Sequence, residues 1–192
     1  MIATDASATQ LDEAAPNARV EYRLAPAEDS GLGEASIDLV TVAQALHWLP
    51  LEHFFAEVRR VVAPGGALAV WCYTMAVLGP AIDEIVSRYY AVTCGPYWSP
   101  ERALVDEGYR GIAMPIDEVA APPLAIESSL TLEQFGGYLR TWSATRKLAA
   151  AIGKDPVIAV EGELRPFWGG AGATRVARWP IRVRAGRLRP GG

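Results

Sequence analysis

The sequence predicts an α/β fold: a doubly wound, mostly parallel sheet with helical cover and a C-terminal antiparallel strand. Three observations predict it. The first 75 residues alternate strand-like and helix-like segments, the pattern of a parallel sheet with crossover helices. Two strand-like runs, Ser36–Ala43 and Ala67–Tyr73, are mostly apolar, as strands covered on both faces are. A final alternating run, Thr174–Arg184, follows a helical second half.

The elements follow in order. Met1–Thr4 reads as a strand. Ser7, with Gln10 three residues on, has the spacing of a capping box. The helix it opens carries Leu11, Ala14 and Ala15 and stops near Pro16-Asn17. Arg19–Leu24 alternates as a strand, and Ser36–Ala43 reads as a buried parallel strand. From Leu51 to Val62 the residues Phe54, Phe55, Val58, Val61 and Val62 share one helical face, and Pro64-Gly65-Gly66 ends that helix. Ala67–Tyr73 is the next buried strand.

In the second half, Pro80–Ala91 is an amphipathic helix, and Gly95–Arg102 is an aromatic loop leading into another. Leu124–Leu130 reads as a strand. Thr131 caps a helix, with Gln134 at the capping-box position. Two more helices cover Thr145–Ile152 and Pro156–Phe167. The last strand is placed at or near a sheet edge because Pro180 interrupts it. The chain is expected to form one domain over residues 1–192, with a ligand-binding half over 1–75 and helices and closing strands over 76–192.

Composition narrows the function. A net charge of −4 opposes a nucleic-acid surface, which needs an excess of Lys and Arg. Cys72 and Cys94 match neither a disulfide framework nor a zinc spacing. The pair His47 and His53 has no acid or thiol cluster to complete a site, so no metal is expected. No run reaches the roughly 20 apolar residues of a membrane span. A reduced, cytoplasmic setting and a small-molecule partner are expected, with no nucleic acid and no membrane; the oligomeric state is unreadable.

Ligands of such sheets bind beyond the carboxyl ends of the strands. Asp5, the Ala27-Glu28-Asp29 loop, Gln44 to Trp48 and Tyr73 fall there. Asp5 is also well placed to cap the helix after it, and Gln44 to bond locally. Of the aromatics in the second half, Tyr97, Trp98, Tyr138 and Trp142 suit either core packing or a pocket wall. Arg102, Arg140 and Arg146 suit either a solvated helix face or a fork for a carboxylate.

Several stretches, in this order, resemble the class I S-adenosylmethionine-dependent methyltransferases, and within them the methyltransferase type 11 and trans-aconitate methyltransferase-like group. They are TDAS, APAED, SIDLVTVAQALHWL, EVRRVVAPGGALAVW, GPYWSPERALVDEGYR, GYLRTWSAT and WPIRVRAGR. The resemblance covers nearly the whole chain. It implies a Rossmann-like fold, S-adenosylmethionine as cofactor, and methyl transfer to a small molecule, with a carboxylate as one candidate acceptor. It also implies roles. Asp5 would hold the ribose hydroxyls, the Ala27 N–H and Glu28 the adenine, and Gln44 the methionine part. His47 is a candidate base. Trp48, Tyr97, Trp98 and Trp142 would line the substrate pocket.

One feature of the family is absent from this sequence: a first strand followed by a turn of the form Gly-x-Gly-x-Gly. The chain is therefore expected to be an N-terminally truncated form that lacks at least about 30 residues of strand, turn and helix. Impaired cofactor binding is expected to follow. The alternatives are an inactive remnant and a non-catalytic partner of a complete methyltransferase.

Overall fold

The computed structural model describes residues 1–189. Its strands are β1 (Ile2–Asp5), β2 (Glu21–Leu24), β3 (Ile37–Ala43), β4 (Val62–Tyr73), β5 (Ile116–Val119), β6 (Leu124–Thr131) and β7 (Thr174–Leu188). Its α-helices are α1 (Ala8–Asp12), α2 (Leu51–Val61), α3 (Pro80–Arg88), α4 (Arg102–Asp106), α5 (Leu132–Thr141), α6 (Ser143–Ile152) and α7 (Val157–Trp168). The α/β class and the mostly parallel first half agree with the sequence reading. β1 and β2 pair in parallel, as do β3 and β4.

The strands form two sheets. One contains β1 and β2 alone; the other runs β3-β4-β7-β5, with β6 also on β7. Among the described residues no ladder joins the two sheets, so β1 and β3 each have a single strand partner. This corrects the expectation that Ser36–Ala43 is buried. Val42 is the one fully buried residue of β3, and Leu39 is 52% exposed. An apolar strand is covered only where a neighbouring strand or helix lies against it, and on one edge β3 has none.

Three further expectations need correction. Ser7 is the N-cap of α1, but its side chain makes no capping bond and the helix has five residues. The Asp5 carboxylate takes the Ser7 N–H at 2.8 Å instead, and the Ser7 hydroxyl turns to Thr9. Pro64-Gly65-Gly66 does not end α2. The helix stops at Val61, and the triplet lies inside β4. Gly65 has φ +79°, and a Cβ on Gly66 would sit 2.8 Å from the Asp38 carbonyl oxygen, so glycine permits a tight approach where the β3–β4 register shifts.

The last correction concerns β7, which is interior rather than an edge. Pro180 is tolerated there for a geometric reason. In a strand, the N and C=O of one residue point to the same side. The Pro180 carbonyl accepts from the Thr74 N–H. The missing proline N–H therefore faces that side too, and the β6 ladder, in which Pro180 opposes Ala125, loses nothing.

The chain divides into two compact units. Among the described residues the first comprises 1–72, 109–122 and 183–189; the second comprises 73–108 and 123–182. The first buries Leu46, Phe54, Phe55, Val58, Leu68, Val70 and Tyr109. The second has a core of Ile82, Val86, Tyr89, Phe135, Leu139, Leu148, Leu164 and Trp168, among others. The Thr131 capping box is fully formed in the second unit, with Gln134 N–H on the Thr131 hydroxyl and Thr131 N–H on the Gln134 side chain. Thr131→Ala is expected to cost about 1 kcal/mol. Thermal melting should show a drop of about 2–4 °C.

Candidate functional site

In the first unit the predicted residues stand at strand ends. Asp5 closes β1 and is exposed. One carboxylate oxygen caps the Ser7 N–H, and the other has no hydrogen bond among the described residues. Pro26 to Asp29 forms a turn closed by the Asp29 N–H on the Pro26 carbonyl. Ala27 and Glu28 sit at its tip, both half-buried, and the Ala27 N–H is not used by the turn.

A carboxylate outside sequence reasoning holds this loop in place. Glu57 of α2 is buried. It accepts from the Ser30 N–H at 3.0 Å and the Ser30 hydroxyl at 2.6 Å. Arg60 donates to both of its oxygens at 2.7 Å. The Arg60 hydrogen bonds, joined by those from Ser30, outweigh burial and hold the Glu57 carboxyl down to about 2. No local signal links Ser30 to Glu57, because 27 residues separate them.

Gln44 directly follows β3. Its N–H bonds to the Trp71 carbonyl at 2.8 Å. It then takes φ +52°, a conformation unusual for any residue but glycine. This turn leads into a 3₁₀ segment, Leu46–Trp48. His47 is buried there, with Nδ1 2.9 Å from the Tyr109 hydroxyl. Trp48 is 60% exposed and rests on the His47 ring at 4.6 Å.

The second unit contains a cavity of about 160 Å³ lined by Tyr73, Trp98, Arg102, Tyr138, Thr141, Trp142 and Ser143. A cavity of about 150 Å³ holds one benzene ring, so this one has room for a ring or a short acid. Trp142 is the extended link between α5 and α6. Its ring lies 5.7 Å from Trp98 and meets Tyr138 edge-on, also at 5.7 Å. Of the predicted pocket residues, Trp98 and Trp142 line the cavity. Tyr97 does not; it is half-buried against the core of this unit.

Of the three arginines weighed in the sequence, the structure puts Arg102 at the cavity. Its guanidinium lies over Trp98 at 5.0 Å and Tyr90 at 5.5 Å. Its Nε donates to the Tyr90 hydroxyl at 2.9 Å and to Asp106 at 3.2 Å. Among the described residues no hydrogen bond occupies its two terminal amino groups. Burial opposes the Arg102 charge, but Tyr90 and Asp106 outweigh burial and raise its pKa. Burial also raises the Tyr90 and Tyr138 phenols, so both stay neutral. Arg140 is spent on Asp155 and Glu161, and Arg146 on the Thr141 carbonyl.

Residues 1–70 match the family described as "Methyltransferase domain". A Dictyostelium discoideum protein provisionally named a methyltransferase is 32% identical over 158 residues, covering 81% of this chain and 60% of that protein. A Saccharomyces cerevisiae protein provisionally named an S-adenosylmethionine-dependent methyltransferase is 32% identical over 172 residues, 73% of this chain and 58% of its own length. The chain thus spans about three fifths of the length of these curated relatives. A solved structure provisionally described as a type II methyltransferase from Anaeromyxobacter dehalogenans superposes with a TM-score of 0.91 at 40% identity, over 99% of this chain and 81% of that one. With the strand order and helices described above, these matches show that the chain belongs to the class I S-adenosylmethionine-dependent methyltransferases.

Proposed function

We propose S-adenosylmethionine-dependent methyl transfer to a small carboxylate as the function of the complete fold, with weak cofactor binding by this chain alone. The observation that carries the acceptor class is Arg102. Its guanidinium is held at a ring-sized cavity by Nε, with both terminal amino groups unoccupied among the described residues. Two parallel N–H donors match the two oxygens of a carboxylate. Asp106 offsets the net charge, so recognition rests on that fork. Trp98, Trp142 and Tyr138 supply flat walls against which a planar acid would pack.

The donor set of the first unit fits the ribose and adenine ends of the cofactor. Asp5 has one uncommitted oxygen for the ribose diol, and Ala27 has an N–H for adenine, with Glu28 beside it. Gln44 stands at the end of β3 for the methionine part. When bound, the cofactor supplies a methyl group on a positively charged sulfur. The chain's task is to hold an acceptor in line with it, with water excluded.

The open edges of β1 and β3 support the weak-binding part of the reading. With those strands unjoined, no strand ladder among the described residues ties Asp5 to Gln44 across the break in the sheet. Calorimetry on this chain should detect S-adenosylmethionine binding weaker than micromolar, or none; ordinary micromolar affinity would refute that part. The acceptor class is tested separately, by tryptophan fluorescence with a panel of small carboxylates and their methyl esters. Acids should bind far more tightly than their esters. Equal binding of both would sink the carboxylate assignment.

A further inference from the structure

The His47–Tyr109 pair has no role in the reading above beyond that of a candidate base. Its geometry is unusually well fixed. Nδ1 of His47 lies 2.9 Å from the Tyr109 hydroxyl, and the rings stack at 6.1 Å with 29° between planes. His47 is 8% exposed and Tyr109 is fully buried. Tyr109 takes φ +61°, a conformation that an aromatic residue holds only when its surroundings enforce it. Arg184 enforces it here. Its guanidinium donates to the Tyr109 and Ile112 carbonyls and pairs with Glu118. Glu118 is on β5 and Arg184 on β7, whose antiparallel pairing anchors the arrangement.

A neutral imidazole has one N–H and one lone-pair nitrogen, and the partner of one nitrogen decides which is which. Between phenol and imidazole, phenol is the stronger acid and the ring nitrogen the stronger base. The favoured bond therefore runs O–H to N. We infer that Tyr109 is a positioning residue that donates to Nδ1 and fixes His47 as the Nε2–H tautomer. The other ring nitrogen is then a hydrogen-bond donor and not a base. The consequence for catalysis rests on the methyl-transfer reading. An acceptor that arrives as a carboxylate loses no proton. Such an acceptor would call for no base, in keeping with an Nε2 that carries the proton.

The test needs neither cofactor nor acceptor. The chain has two histidines, His47 and His53, so nitrogen-15 NMR of the imidazoles is simple to assign, with His53→Gln identifying the second. Above the ordinary imidazole range, His47 should show a protonated Nε2 and a lone-pair Nδ1. In Tyr109→Phe this single form should give way to a mixture. A wild-type His47 protonated at Nδ1 overturns the inference, and so does a Tyr109→Phe spectrum unchanged from wild type. If Tyr109→Phe fails to fold, the wild-type spectrum alone decides. A confirmed tautomer alongside failed carboxylate binding would sink the acceptor assignment and leave the dyad standing.

Discussion

Arg102→Met is expected to weaken binding of a small carboxylate about 30-fold, because hydrogen bonds to a charged partner contribute about 1.5–3 kcal/mol and 1.4 kcal/mol is a tenfold change. Methionine keeps the unbranched stem and a soft contact with the aromatic walls, so the fold should stay intact. The loss should be confined to acids, and the weak binding of an ester should hardly change. Fluorescence titration of both ligands against both proteins reads this directly. A uniform loss for acid and ester would mean that Arg102 acts through packing on Trp98 and Tyr90 and not through its amino groups.

The second large effect concerns stability. Glu57→Ala removes the acceptor of the Ser30 N–H and hydroxyl, both in a buried residue. Leaving those donors unpaired should cost about 3 kcal/mol, or about 6–12 °C in Tm for a chain of this size. The pH dependence has a definite sign. The folded carboxyl titrates at about 2, below its ordinary 4.5. Its contribution is complete above 4.5 and fades as pH falls toward 2. Glu57→Gln keeps the shape but has no charge to lose, so that part of the acid-induced drop in Tm should be missing from its melting curves. An unchanged acid profile would count against the Glu57 clamp.

Much of this fold was legible because its signals are local. Apolar runs named β3 and β4, and Thr131 with Gln134 gave a capping box that forms as spaced. Ser7 with Gln10 has the same spacing and fails, because Asp5 reaches the Ser7 N–H first and a five-residue helix offers little to cap. β5 carried too little pattern, four residues set between prolines 115 and 122. The site was harder still. Which arginine is spent and which is not depends on Asp155 and Glu161, whose positions next to Arg140 come from helix packing and not from spacing. Tyr109 gave no signal beyond the glycine before it, since its conformation is imposed by Arg184, 75 residues away.

The gap between the two sheets also bears on how the chain behaves in solution. An open parallel edge is a row of N–H and C=O groups ready to pair with any extended chain. On β3 that row runs beside Leu39, 52% exposed. The same backbone groups that would order a cofactor site when covered become, when bare, a template for aggregation.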